Sequence, residues 1–451
     1  MEYTNFITVL PDHLRTHMKT RSTRRRAALR AAAIVTIATT AGALAACSTG
    51  TPAKTKTTDI TFSYLWSGAE ATALQKVIAT YNKSQSAVHV TGVSSPDFQK
   101  QLTSMSASNG SFDVSDNFGN VVGSWASKGI IAPLDSYLKA DGVKISDFAP
   151  SSMTEMKYQG KIYAMPIAVH TQELLYNKDL FQAAGISGPP KTFAEFASDI
   201  AKTTKTDANG NITQLGLGDP STTTLLTTLA YAFGGTWDGS NGATPSPDKA
   251  ANIKALNWYQ KNVTDKYGAA KIAAFESGLG TYMSAQDPFY QGKEAMVLDG
   301  EWQAVNIPTT APNLNWGVVS LPAYDSSLKD TTEVSTSTLF IPSNSKHKAA
   351  AAKFIAYMMG DKAMTAFTLA LGNLPSRTDL LDSSDYNKIP EFSVWLKALN
   401  SKNAKAMSSA PYSAQYSTDL GAAFDDITRG AATPEAAMKS VAQKATSYDA
   451  G

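Results

Sequence analysis

Between Asp59 and Val93 the apolar residues change period twice, and this limits the folds open to the chain more than any other feature. Ile60, Phe62 and Tyr64 alternate with polar residues as on a half-buried strand. Leu74, Val77, Ile78 and Tyr81 recur at helical spacing within 68–82, and Val88-His-Val-Thr-Gly-Val93 reads as a strand again. Strand, helix and strand in that order predict an α/β fold, a mainly parallel sheet covered by helices. With 451 residues the chain exceeds what one hydrophobic core holds, about 250–300 residues, so at least two lobes are expected.

Later segments keep the pattern. Thr192-Phe-Ala-Glu195 is a capping box at a helix start, Ala349–Met359 reads as a helix, and 418–446 as further helix interrupted at Gly430 and Pro434. Asp207-Ala-Asn-Gly-Asn211 has the opening of a calcium loop but lacks its twelfth-position Glu, which favours a β-turn.

The first 46 residues hold seven of the 40 basic and two of the 38 acidic residues, so the chain from Cys47 on has 33 basic against 36 acidic side chains, a net charge of −3. The basic run is followed by the apolar stretch 31–41, too short to span a bilayer, and then by small residues: a secretory signal peptide at 1–46, with Met18 as a possible true start. Leu44-Ala-Ala-Cys47 resembles the bacterial lipobox, which implies that Cys47, the single cysteine, carries the lipid. Residues 47–58 then read as lipidated Cys plus flexible tether. The near-neutral remainder has no basic stripe for nucleic acid, and one cysteine excludes an internal disulfide.

Four stretches resemble the extracellular solute-binding proteins of carbohydrate ABC importers, the maltose-binding branch above all. They are Gly160–Leu180 with Pro189–Phe193, Phe289–Trp302 running on to Trp316–Pro322, Gly129–Asp135, and Gly372-Asn-Leu-Pro375-Ser-Arg377. The resemblance implies a two-lobed, type II periplasmic-binding-protein-like fold, with lobe 1 from 59–168 plus about 325–378 and lobe 2 from 169–324 plus about 379–451. It implies a sugar held between lobes that close on a hinge, delivery to ABC permease subunits, a monomer anchored on the extracytoplasmic face of the cell membrane, no cofactor and no turnover. No His-Glu-x-x-His, nucleotide-binding lysine loop or Gly-x-Ser-x-Gly motif is present.

Carried over by position, Trp302 in Gly300-Glu-Trp is the expected stacking platform, against the alternative of an interlobe core Trp. Trp66 and Glu70 fall in a sugar-contacting loop after the first strand, and Gln99, Asn117 and Asn120 match further contacts in the first lobe. His170 stands where relatives have Glu, and a neutral imidazole can still donate and accept. Glu173 replaces a small residue and is either a second polar contact or an exposed strand residue. Asp219-Pro-Ser221 matches a Glu-Pro-Tyr segment without its aromatic, so the missing ring is expected from Trp237 or Tyr416. Arg377 reads as a surface ion pair or an anion fork. Two rival readings remain: a surface glycosidase using Asp219, Asp299 or Glu301, and the same fold binding a polyamine, a glycerol phosphate or a metal. The metal version is weakest, because His89, His170 and His347 do not cluster in sequence.

Overall fold

The two changes of period at the start of the domain are realised as strand, helix and strand. Thr58–Tyr64 and Val88–Ser94 are parallel strands with Ile60 opposite Val90, and the helix Gly68–Ser84 between them buries Leu74, Val77, Ile78 and Tyr81. The computed structural model describes residues 56–239 and 244–448, and those from Thr57 onward form one unit. The signal segment 1–46, Met18, Cys47 and most of the tether 47–58 lie outside the described residues. No helix among the described residues is long and apolar enough to cross a membrane.

Eight strands make the main sheet, in the order Val88–Ser94, Thr58–Tyr64, Val114–Phe118, Thr332–Phe340, Ala164–Asn177, Trp316–Val319. Ala404–Lys405 adds to Thr332–Phe340, and Met296–Gly300 to Ala164–Asn177. The first three strands are parallel, while the return strand Thr332–Phe340 runs antiparallel to Val114–Phe118 and to the long strand Ala164–Asn177 but parallel to Ala404–Lys405. The sheet is therefore mixed, parallel only where helices supply the crossovers.

Two hydrophobic cores flank the crossing. Because successive strand residues face opposite sides, Leu175 and Val297 enter the first core while Leu174, Met296 and Leu298 enter the second. Beyond the expected boundary at about 379, Leu380, Tyr386, Phe392, Trp395 and Leu399 still pack in the first core, and the buried residues from Ala410 onward pack in the second. The cause is the apolar face of the helix Phe392–Leu399. It lies on the long and return strands, where Trp395 Nε1 donates to Asp299 O at 3.2 Å.

Local signals hold where they rest on backbone chemistry. Thr192 Oγ1 accepts from Glu195 N at 3.1 Å, and Glu195 reaches back to Lys191 N at 2.7 Å, one residue beyond the usual capping-box partner. Asp207 Oδ1 accepts from Asn209 N and Asn211 N inside the antiparallel pair Lys205–Thr206 and Ile212–Gln214, so this loop is a turn closed on itself. The C-terminal helices Ser413–Thr428 and Pro434–Ala445 are split by left-handed Gly430, with Thr433 capping the second.

Candidate functional site

Trp302 follows the strand Met296–Gly300 directly, and Gly300 decides where its indole lies. A Cβ at Gly300 would collide with the six-membered ring, so the indole rests on bare backbone. Trp302 Nε1 donates to Tyr282 Oη at 2.8 Å, and Tyr282 donates to Asp299 Oδ1 at 2.7 Å. Gln303 Nε2 donates to Asp299 Oδ2 at 2.6 Å. Burial pushes the Asp299 carboxyl up to about 7, opposed by its bonds from Tyr282, Gly300 and Gln303. The result is a half-buried indole with its polar edge already bonded, the form a flat apolar platform requires.

His170 meets Trp302 edge-on, ring centres 5.6 Å apart. Its Nδ1 lies 2.8 Å from Glu301 Oε1 and its Nε2 3.0 Å from Ser337 Oγ, on the return strand. A carboxylate only accepts, so Nδ1 carries a proton toward Glu301, while Nε2 shares a hydrogen bond with the Ser337 hydroxyl. Glu301 spends its other oxygen on Thr171 N at 3.2 Å. Glu70 faces the same region. It is open to solvent but flanked by protein, and loss of solvation pushes its carboxyl up, an effect that His170 opposes electrostatically.

The other first-lobe candidates separate by position. Trp66 is half-buried and edge-on to Phe367 at 5.0 Å; its loop is held by Leu65 N donating to Asp116 Oδ1 at 2.8 Å. Burial raises the Asp116 carboxyl to about 8, and Glu70 adds to that rise. Gln99 and Asn120 are exposed. Asn117 is buried with both amide functions used internally, Nδ2 on Gln101 Oε1 at 2.8 Å and Oδ1 on Phe118 N at 2.7 Å, so the structure gives it a supporting place rather than an open one.

The expected second ring is not where it was sought. Trp237 and Tyr416 are 1% and 2% exposed and lie in the second core. Trp237 packs edge-on to Phe424 at 5.3 Å, and Tyr416 Oη donates to Trp237 O at 2.7 Å. Their apolar area fills that core and offers no free face. Asp219, half-buried ahead of the helix Thr222–Ala232, accepts from Thr222 Oγ1 at 2.7 Å. Glu173 is fully buried rather than exposed: Oε2 accepts from Leu321 N at 3.1 Å, and burial holds its carboxyl well above the ordinary range. Arg377 is a surface ion-pair hub for Asp147, Asp361 and Asp379.

Two further acids lie along the return strand. Glu155 Oε2 accepts from Thr336 Oγ1 at 2.6 Å, and Glu333 Oε2 accepts from Thr228 Oγ1 at 3.1 Å, tying this strand to the helix Thr222–Ala232. Burial raises the first carboxyl to about 7 and the second to about 8.

Residues 66–365, well over half of the chain, match the family described as bacterial extracellular solute-binding protein. The chain belongs to this family. Its fold is that of the two-lobed, maltose-binding-protein-like members: the structure of CpMnBP1 with mannobiose bound gives a TM-score of 0.74 at 30% identity, covering 86% of this chain and 100% of that one. The maltotriose-binding protein of Pyrococcus abyssi is 24% identical over 276 residues, 60% of this chain and 55% of that protein. A maltooligosaccharide ABC transporter solute-binding lipoprotein of Streptococcus pneumoniae is 26% identical over 277 residues, 57% and 58% respectively. The chain thus spans a little over half the length of these two relatives.

These relatives are binding proteins, not enzymes. Asp299 and Glu301, proposed for a glycosidase, direct both carboxyl oxygens into the protein. Neither is placed to protonate a leaving group. Sequence reasoning missed Tyr282, Ser337, Glu155 and Glu333, because hydrogen-bond partners 20 to 181 positions away leave no local pattern.

Proposed function

We propose that the protein is a lipid-anchored, extracytoplasmic receptor that captures a short neutral oligosaccharide and hands it to an ABC importer. The Trp302 platform carries this reading: a half-buried indole, fixed through Tyr282 and beside His170, offers a flat face for sugar C–H groups, while neighbouring polar side chains can bind hydroxyls. Trp302, Glu70, Trp66, Gln99 and Asn120 are the proposed contacts, with Asp219 proposed from the second lobe, while His170, buried with both ring nitrogens bonded inside the protein, holds a supporting place beside Trp302. No Lys or Arg stands among them, which disfavours a phosphorylated ligand. Mannobiose and mannotriose are the first ligands to try, because CpMnBP1 holds each of them at 30–31% identity.

Thermal unfolding with mannobiose, mannotriose, maltose, maltotriose and spermidine tests the reading, since a ligand at 100 times its dissociation constant stabilises by about 2.7 kcal/mol. A raised melting temperature with a sugar, and no cleavage product on prolonged incubation, is expected. Stabilisation by spermidine alone overturns it. Cys47→Ser should abolish lipid attachment and leave the domain folded; unchanged membrane retention of that variant overturns the anchor. Gel filtration should show a monomer.

A further inference from the structure

We infer that the end of the first lobe where Thr58 enters the sheet is a basic face for anionic lipid headgroups, which seats the receptor on its own membrane; this rests on the anchored reading. Thr58–Tyr64, Val88–Ser94 and Val114–Phe118 are parallel, so their N-terminal ends share one edge, and the return strand brings its C-terminal Phe340 there, opposite Ser115. The helix Gly68–Ser84 delivers Lys83 to this end, where Gln85 Oε1 accepts from Ala87 N and Val88 N at 2.7 and 2.9 Å. Past Phe340, Ser343 N donates to Ile130 O at 2.9 Å, and Asn344 Nδ2 donates to Met105 O and Ala107 O at 3.1 and 2.8 Å. The segments 83–89, 107–112, 128–130 and 341–348 therefore meet at one end.

Together these segments hold Lys83, Lys128, Lys346 and Lys348 with His89 and His347, and no Asp or Glu. Lys83, Lys128 and Lys346 are exposed and Lys348 is half-buried. None of the four enters an ion pair among the described residues, where the paired lysines are Lys388, Lys397 and Lys444. At the strand ends, Asp113 is spent on Thr61 N at 3.1 Å, Ser345 Oγ at 2.7 Å and His347 Nδ1 at 3.3 Å, so Asp59, opposite His89, is the exposed acid there. The segment 261–276 of the second lobe shows the ordinary mixture instead, Lys261, Lys266 and Lys271 with Asp265 and Glu276. Four lysines with little opposing charge suit a surface of many negative charges, where each lysine adds to the attraction. Lipid is the occupant because of where the chain enters: ten residues, 48–57, separate Cys47 from Thr58, and a stretch of that length reaches at most about 40 Å. Trp66 and Glu70 follow the opposite, C-terminal end of Thr58–Tyr64, so a receptor seated on its lysines turns these sugar contacts away from the bilayer.

Co-sedimentation of residues 57–451, which form one unit, with vesicles of phosphatidylcholine alone or mixed equally with phosphatidylglycerol tests the inference. At low salt the wild type should bind the mixed vesicles at least about tenfold better than the neutral ones, and molar salt should abolish the difference. Replacing Lys83, Lys128, Lys346 and Lys348 together by Ser should remove that preference with an unchanged melting temperature, and replacing all four by Arg should preserve it. A control with Lys261, Lys266, Lys271 and Lys293 of the second lobe changed to Ser should bind as wild type does. Equal binding of wild type to both vesicles, or a loss in the control as large as in the Lys83 set, overturns the basic face. No anchored chain is present in this assay, so its failure strikes the face and leaves the anchor standing. Unchanged membrane retention of full-length Cys47→Ser in molar salt overturns the anchor and this inference with it.

Discussion

Trp302 and Trp237 put the same side chain into two opposite settings. Each bonds its indole N–H inside the protein, Trp302 to Tyr282 at 2.8 Å and Trp237 to Thr227 O at 3.4 Å, so satisfaction of the polar edge does not separate them. What separates them is what covers the ring. Trp302 lies on a glycine at the end of a strand and keeps partial exposure, whereas Trp237 is enclosed by the second core beside Phe424. A tryptophan can serve as a platform only where its ring keeps some exposure, and of these two only Trp302 does.

The largest expected effect breaks this comparison on the buried side. Trp237→Ala should cost about 3–5 kcal/mol of stability in denaturant unfolding; a loss below about 1 kcal/mol would return Trp237 to the cleft. Trp302→Ala should do the converse, with little change in melting temperature and a loss of about 2 kcal/mol or more in sugar affinity, roughly thirtyfold, by calorimetry.

A smaller effect is expected where the two settings meet. The helix Thr222–Ala232 supplies Thr227 O to Trp237 and Thr228 Oγ1 to Glu333 on the return strand. Glu333 is raised from 4.5 to about 8 by burial, so across that window the folded protein holds a proton that the unfolded chain has lost. Its contribution is present in full below the unfolded value and is lost as pH rises through about 8. Glu333→Gln should flatten the decline in urea midpoint between pH 5 and 8 by the equivalent of about 1 kcal/mol, a figure kept low because Glu333 retains some solvent contact. An unchanged slope would place the pH dependence with the other buried carboxyls, Asp116, Glu155, Glu173 and Asp299. Arg377→Ala, remote from both tryptophans, should alter stability by about 1 kcal/mol or less and leave affinity unchanged, because its partners Asp361 and Asp379 are exposed.

Features set by local chemistry were legible: the strand–helix–strand start, the capping Thr192, the break at Gly430, and the fold carried by the four family-like stretches. Gly372 shows how such a stretch acts, adopting φ 73° at a helix end so that Leu374 can bridge to Val169 on the long strand. The site was legible in part. Position along the chain singled out Trp302, His170 and Glu70, but it could not tell a platform from a core residue at Trp237 and Tyr416, since sequence shows a ring and not its cover.

The long strand Ala164–Asn177 has one more consequence. Its 14 residues are buried almost throughout, with Ile167 and Val169 in one core and Leu174 in the other. Neither core can melt while the other keeps this strand in place, so its amides should be among the slowest in the chain to exchange with deuterium, opening only when the whole protein unfolds. A receptor built this way can let its outer loops breathe at every capture and release while its spine stays a single cooperative unit.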